Sequence, residues 1–70
     1  MNLHFNIIKN DYFKTYDNRI FKVINVWFKA GKPCDIDFIE IKQEPEVVDL
    51  ISKPYNIIKE LVINKKIILI

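Results

Sequence analysis

The chain has 70 residues, of which half are apolar and 29% are charged, and its formal net charge is +2 at pH 7. This length predicts a single domain, residues 1–70, and the composition is typical of a folded globule rather than a disordered tail. A core this small stabilises a fold only marginally. The single cysteine excludes an internal disulfide and a cysteine-rich zinc site, which favours a reducing compartment.

The two ends of the chain give no sign of export or membrane insertion. Residues 1–9 lack the basic and then apolar order of a secretory signal. The longest apolar run, Ile67 to Ile70, is far shorter than the roughly 20 residues that a membrane helix needs. Ile, Asn and Lys dominate the composition, as they do where codons are AT-rich. We therefore expect a cytoplasmic protein of a low-GC bacterium, or of a phage or plasmid in such a host.

The first part of the chain predicts strands separated by turns. From Leu3 to Ile8 apolar and polar residues alternate, which indicates a strand with one buried face. Asn10-Asp11 is a turn signal, and so is Asp17-Asn18. The segment between them, Tyr12 to Tyr16, is consistent with a short strand or with an irregular connection.

The strongest local prediction is a β-hairpin over residues 19–43. Arg19 to Phe28 is rich in β-branched and aromatic residues, and Cys34 to Gln43 forms the return strand. Lys29 to Pro33 contains the one glycine and a proline, so we place the turn there. Favourable cross-strand neighbours predict this register: Phe28–Cys34, Trp27–Asp35, Val26–Ile36, Asn25–Asp37, Ile24–Phe38, Val23–Ile39, Lys22–Glu40 and Phe21–Ile41.

The remaining residues predict helical structure. Glu44-Pro45-Glu46 is typical of a helix start, and Lys53-Pro54 would end that helix after about two turns. Residues 55–70 fit a helix followed by a terminal strand, with a second hairpin turning at Asn64-Lys65 as the alternative. The expected fold class is α+β: a small antiparallel sheet built on the central hairpin with an N-terminal strand, packed against one or two short C-terminal helices.

Nucleophilic catalysis finds little support in the residue inventory. Cys34 and His4 could form a dyad on adjacent strands, but a third orienting group and a glycine-rich oxyanion turn are missing. We expect Cys34 to be a small buried hydrophobe and His4 to face solvent.

The acidic residues of the return strand resemble a metal-dependent nuclease pattern only weakly. Asp35, Asp37, Glu40 and Lys42 follow that order, but they crowd onto one short strand. We expect Asp35 and Asp37 to form a solvated edge and Glu40 to pair with Lys22. No metal-ligand spacing or phosphate-binding glycine loop is present, so the sequence predicts no enzyme activity, cofactor or metal.

Nucleic-acid binding is an alternative that rests on interleaved aromatic and basic residues, which suit base stacking on a sheet face. A net charge of +2 with a single arginine makes a weak electrostatic footprint. The candidate residues are Tyr12, Lys14, Tyr16, Arg19, Phe21, Trp27 and Lys29.

Protein binding is the favoured class. An exposed tryptophan ringed by polar groups is typical of binding hot spots, and an acidic strip can occupy a basic surface. Trp27 is the anchor candidate, beside Asn25, and the strip comprises Asp35, Asp37, Glu40, Glu44, Glu46 and Asp49.

The functional expectation is therefore a non-enzymatic inhibitor that occupies a larger host or defence protein, or a nucleoprotein complex. It is similar, as a class only, to small phage and mobile-element proteins such as anti-CRISPR proteins, and fold-level analogy of this kind says little about function. Single-stranded nucleic-acid binding is the first alternative. A structural role, in which the tail Ile67 to Ile70 adds a strand to a second copy in a homodimer, is the second.

Overall fold

The computed structural model describes residues 5–42 and 49–70, which contain five strands and one helix. The strands form a single antiparallel sheet in the order β4-β3-β2-β1-β5. The elements in chain order are β1 (Tyr12–Thr15), β2 (Ile20–Lys29), β3 (Lys32–Ile41), β4 (Ile51–Pro54), α1 (Tyr55–Ile63) and β5 (Ile67–Leu69). The α+β class and the antiparallel sheet are thus confirmed.

One face of the sheet is covered by α1, which contacts β3, β4 and β5. Residues 5–8 join the same layer, because the Ile7 backbone N–H donates a hydrogen bond to the Tyr55 hydroxyl at 2.9 Å. The Lys59 ammonium lies 5.3 Å from the centre of the Phe5 ring. The helix and the N-terminal segment therefore close the same side of the sheet.

The core lies between this layer and the sheet, and three phenylalanines form its floor. The ring centres of Phe13 and Phe21 are 5.2 Å apart in a stacked arrangement, and Phe38 meets both rings edge to face. Such pairs add stability beyond the area they bury. The other buried apolar residues are Ile7, Val23, Ile36, Tyr55, Ile58 and Ile67.

The central hairpin is confirmed, but its turn is tighter than expected. Only Ala30 and Gly31 lie outside the strands, and their φ angles are 52° and 76°. Positive φ at both central residues is the requirement of a type I′ turn, whose twist matches that of the flanking strands. Pro33, placed in the turn by the sequence prediction, instead pairs with Phe28 inside the ladder.

The predicted register is correct in the middle of the hairpin and wrong toward both ends. Trp27–Asp35, Val26–Ile36 and Asn25–Asp37 pair as expected. Irregularities between Val23 and Asn25 and between Trp27 and Phe28 shift the rest of the ladder. The shifted pairs are Phe28–Pro33, Val23–Phe38, Lys22–Ile39, Phe21–Glu40 and Ile20–Ile41. A bulge inserts one unpaired residue, so every pair beyond it moves by one position.

The helix predicted to end at Lys53-Pro54 is wrong over the residues that the structure describes, because Ile51–Pro54 is strand β4. Residues 44–48, including the expected helix start, lie outside the described residues. Pro54 does not end a helix but stands at the N-cap of α1, with φ −57° and ψ 135°. The helix that follows and the terminal strand β5 are confirmed over the second hairpin.

The predicted N-terminal strand is also wrong in its described part, since residues 5–8 have no strand pairing. Leu3 and His4 lie outside the described residues. The alternation still predicts burial, because Ile7 is buried and Ile8 is exposed. The first described strand is β1, and the predicted turns on either side of it are present, with positive φ at Asn10 and Asn18.

Candidate functional site: the open sheet face and its tryptophan

The face of the sheet opposite α1 can be mapped from the strand register, because directly paired residues point to the same side. Its cross-strand rows run over all five strands and mix apolar, basic and acidic side chains. We call this surface the open face. Its rows are Ile68–Lys14–Ile20–Ile41, Tyr12–Lys22–Ile39, Asn25–Asp37–Ser52 and Trp27–Asp35–Pro54.

The open face carries large exposed apolar side chains among its polar ones. Ile41 and Ile68, at its two sides, are 45% and 53% exposed, and Tyr12 is also exposed. Antiparallel sheets commonly leave one face in water, but that face then carries polar residues. Large exposed apolar side chains on such a face can contribute to an interaction site.

Trp27 stands at the hairpin end of the open face and is 54% exposed. Its indole Nε1–H donates a hydrogen bond to Asp37 Oδ2 at 2.6 Å. The bond ties the ring to the neighbouring cross-strand row, so the indole has a defined orientation although half of its surface is in water. The prediction of an exposed tryptophan among polar groups agrees with this position.

Asp37 is the group that holds the indole, and it is itself buried, with only 6% of its surface exposed. Its second oxygen, Oδ1, accepts a hydrogen bond from the Ser52 hydroxyl at 2.6 Å. Hydrogen bonds from Ser52, then from Trp27, and more weakly from Asn25, hold the pKa of Asp37 below its ordinary value, against the opposing effect of burial. The carboxylate is therefore charged at neutral pH and fully engaged within the protein.

This arrangement corrects the expectation that Asp35 and Asp37 form a solvated edge, since only Asp35 is exposed. Ser52, which the structure places beside Asp37, was not identified from the sequence. The sequence predicts a helix over this segment, and only its pairing with β3 as a strand brings Ser52 beside Asp37.

The acidic strip is not one continuous surface. Glu40 pairs with Phe21 on the α1 side of the sheet and forms a bidentate contact with Arg19, at 2.8 and 3.2 Å. Its expected partner Lys22 lies on the open face, so that pairing is wrong. The hydrogen bond from Arg19 lowers the pKa of Glu40. Asp49 is exposed, and Glu44 and Glu46 lie outside the described residues.

The candidate nucleic-acid residues are divided between the two faces. Tyr12, Lys14 and Trp27 lie on the open face, whereas Phe21 is buried beneath α1. The Arg19 guanidinium lies 5.2 Å from the Phe21 ring centre. The two remaining candidates are exposed elsewhere: the Tyr16 hydroxyl donates to the Lys65 carbonyl, and Lys29 ends β2.

The residues considered for catalysis do not assemble where the structure describes them. The Cys34 thiol is half-buried and donates to the Trp27 carbonyl at 3.4 Å, and His4 lies outside the described residues. Within residues 5–42 and 49–70, no three His, Cys, Asp or Glu side chains lie close enough to hold a metal ion.

Two further findings concern membrane-spanning helices and the tail of the chain. No helix in the part of the chain that the structure describes is long and apolar enough to cross a membrane. The tail residues Ile67–Leu69 pair with β1 of their own sheet, and β5 is one of its two edge strands.

Comparisons with protein-family models, with curated proteins and with solved structures give no match to this chain.

Proposed function

We propose that this chain is a non-enzymatic protein-binding module that blocks a larger protein by occupying part of its surface, with Trp27 as the anchor. The observation that carries the proposal is an exposed indole fixed by a hydrogen bond to a buried carboxylate. Tryptophan is enriched among the few interface residues that supply most of the binding energy.

The fixed orientation of the indole matters for binding as much as its exposure does. Binding costs free energy when a mobile side chain must be immobilised, and a ring already held by Asp37 avoids much of that cost. Asp37 is in turn held by Ser52 from the neighbouring strand. The anchor is thus supported from β2, β3 and β4 before any partner arrives.

The remainder of the open face suits a protein partner. Ile41, Ile68 and Tyr12 supply exposed apolar area, and Lys14 and Lys22 lie between them in the cross-strand rows. An apolar centre interrupted by a few charges is the usual composition of a protein interface. The partner that fits is a protein with an apolar patch, carboxylates opposite Lys14 and Lys22, and a basic group opposite Asp35 beside the anchor. A host or defence protein is the class we favour.

The test is affinity capture from the lysate of the source cell, with and without nuclease, using the full chain and three variants. We expect wild type to retain one protein after nuclease treatment and Trp27→Ala to lose at least 10-fold in affinity for it, the scale of a binding hot spot. Trp27→Phe keeps a ring without the N–H, so it measures the contribution of the ordered orientation.

The matched control is Ile57→Ala, which removes an exposed apolar side chain from α1 on the opposite layer. It should leave capture unchanged. Normal capture by Trp27→Ala, in a protein that remains folded by circular dichroism, would refute the anchor.

Single-stranded nucleic acid is a second candidate, because Tyr12, Lys14 and Trp27 share the open face. The Lys22 ammonium also lies 5.8 Å from the Tyr12 ring centre. Nucleic-acid binding predicts that the protein has affinity for an oligonucleotide and that this affinity falls steeply as the salt concentration rises. Capture that disappears on nuclease treatment would favour it over the protein partner.

A further inference from the structure

The hairpin of β2 and β3 extends beyond the strands on either side of it. β1 pairs with β2 only at residues 20–22, and β4 pairs with β3 only at residues 35–38. Past the Trp27–Asp35 pair, the two long strands pair only with each other. We call residues 28–33 the hairpin tip. At about 3.3 Å per residue, the tip projects roughly 10 Å beyond the last row that β4 joins.

The backbone of the hairpin tip has a defined conformation. Ala30 and Gly31 form the two-residue turn with positive φ angles, which keeps the flanking strands paired. At the base of the tip, the Cys34 thiol donates a hydrogen bond to the Trp27 carbonyl at 3.4 Å. A side chain carried on an ordered backbone loses less conformational freedom when a partner binds it. The tip is therefore suited to binding without a change of shape.

The hairpin tip carries an aromatic ring that the core does not use. Phe28 is 64% exposed, whereas Phe13, Phe21 and Phe38 are buried and Phe5 is half-buried. An exposed phenylalanine at the end of a projecting ribbon adds little to the stability of the fold. Aromatic residues are enriched in protein interfaces, where they supply large contact areas.

Phe28 and Trp27 emerge on opposite faces of the ribbon, because consecutive residues of a strand alternate between faces. Trp27 lies on the open face, and Phe28 points to the same side as Val26, which pairs with the buried Ile36. A flat partner surface could contact only one of the two rings. A cleft contacts both of them, one on each wall.

Two lysines give the hairpin tip its charge. Lys29 and Lys32 are direct cross-strand neighbours, and both are exposed. Like charges at directly opposite positions of a ladder destabilise the pair of strands. In the part of the chain that the structure describes, neither ammonium has a carboxylate partner. Carboxylates of a partner would relieve this repulsion, so the charge of the tip complements an acidic surface.

We propose that the interface continues from Trp27 onto the hairpin tip, which enters an acidic cleft in the partner protein. This inference rests on the proposed function. Phe28 contacts the wall opposite that of Trp27, and Lys29 and Lys32 pair with carboxylates of the cleft. The groove of a nucleic acid would also attract two lysines, but the exposed Asp35 at the base of the tip repels phosphates. A protein cleft is therefore the occupant that the tip favours.

The experiment is photo-crosslinking with the full chain in the lysate of the source cell, with and without nuclease. One chain carries p-benzoylphenylalanine in place of Phe28, and a second carries it in place of Tyr12 on the open face. The control chain carries it in place of Ile57 on α1, which is also exposed. Mass spectrometry identifies the attached peptides. Positions 28 and 12 should attach to one protein after nuclease treatment, and position 57 should not attach to it. The peptide attached at position 28 should contain Asp or Glu residues.

The crosslinks separate a failure of this inference from a failure of the proposed function. Attachment at position 12 without attachment at position 28 would overturn the inference and leave the proposed function intact. Attachment at neither position would overturn both. Attachment at position 28 that disappears on nuclease treatment would assign the tip to nucleic acid and overturn the protein cleft.

Substitution of one lysine tests the charge of the cleft, with the crosslinked protein as the binding partner. Lys32→Glu should bind about tenfold more weakly, because a carboxylate would then face the carboxylates of the cleft. The same substitution places opposite charges across the ladder, so its urea midpoint should rise slightly. A purely structural role would move affinity and stability in the same direction.

Two matched variants complete this comparison. Lys32→Arg keeps the charge and should bind as wild type does. Lys53→Glu makes the same change in net charge at an exposed position of β4 and should also leave the affinity unchanged. Equal affinity of wild type and Lys32→Glu would overturn the proposal. So would an equal loss in Lys32→Glu and Lys53→Glu, because it would assign the effect to net charge alone.

Discussion

The two faces of this sheet are made from the same strands but differ in how deeply their apolar side chains are buried. On the α1 side, Phe13, Phe21 and Phe38 pack together under the helix, and all three are buried. On the open face, Ile41 and Ile68 belong to one cross-strand row and are about half exposed. Large apolar side chains are therefore buried on one face and exposed to solvent on the other.

The two faces also differ in the kind of polar contact they contain. On the open face, Asp37 is buried and accepts hydrogen bonds from Trp27 and Ser52. On the α1 side, the Arg19–Glu40 pair lies at the surface, where water screens it. We therefore expect the stability of the fold to depend mainly on the α1 side, and the orientation of Trp27 to depend on Asp37.

The largest effect is expected from Phe38→Ala, which removes a ring from the floor of the core. Large-to-small substitutions of buried aromatic residues cost about 3–5 kcal/mol, and a small domain has only about 5–15 kcal/mol of stability in total. Urea unfolding followed by circular dichroism measures the loss. Ile41→Ala, on the same strand but on the open face, should cost about 1 kcal/mol or less.

Equal losses of unfolding free energy in Phe38→Ala and Ile41→Ala would show that the two faces do not differ in their contribution to stability. If Phe38→Ala is too unstable to give a folded baseline, Phe38→Leu provides a milder version of the same comparison.

A smaller effect is expected from Asp37→Asn at neutral pH. The amide oxygen can still accept from Trp27, but the amide NH2 faces Ser52, whose hydroxyl must then accept instead of donate, and both hydrogen bonds lose their charged acceptor. Hydrogen bonds to charged groups contribute about 1.5–3 kcal/mol and neutral ones about 0.5–1.5 kcal/mol, so the variant should lose about 1–2 kcal/mol. Urea unfolding measures this cost, and Asp35→Asn, an exposed change on the same strand, is the control and should be close to neutral.

The same variant has a predicted pH dependence. The folded-state pKa of Asp37 is lowered, so the unfolded chain binds more protons in acid and stability rises with pH. This contribution is complete above the unfolded pKa of about 3.9 and is lost as pH falls through the lower folded value. The stability difference between wild type and Asp37→Asn should therefore shrink in acid. A difference that is constant from neutral pH to acid would contradict the lowered pKa.

The smallest effect, and one of opposite sign, is expected at the hairpin turn. Ala30 has a φ of 52°, a conformation that Asn adopts more readily than Ala, and Asn-Gly is the preferred pair in such turns. Ala30→Asn should raise stability by about 0.5–1 kcal/mol. Because the turn sets the register, it also fixes which side chains reach each face. Lower stability would show that the two-residue turn is assigned incorrectly.

The sequence predicted the parts of the fold that depend on local pattern. The hairpin over 19–43 and the helix before β5 follow from periodicity and turn residues. The pattern also predicted the central register, and with it the exposed position of Trp27 beside Asp35. These features depend on neighbours that are close in the chain.

The features that could not be predicted depend on distant partners. Segment 51–54 fits a helical pattern, but pairing with β3 makes it a strand. The bulge near Ile24 decides that Glu40 meets Arg19 rather than Lys22, and no residue type marks that bulge. The burial of Asp37 likewise depends on Ser52 arriving from β4. Local propensity is overridden in each case by tertiary pairing.

The position of β1 between β2 and β5 also has a kinetic consequence. β1 pairs on one side with β2, its neighbour in the chain, and on the other with β5, which follows most of the chain later. Contacts between distant segments must close a long loop before they contribute any stability, and proteins rich in them fold slowly. The hairpin of β2 and β3 can form early, whereas the outer edge of β1 stays unpaired until β5 docks, so we expect the β1–β5 pairing to form late in folding.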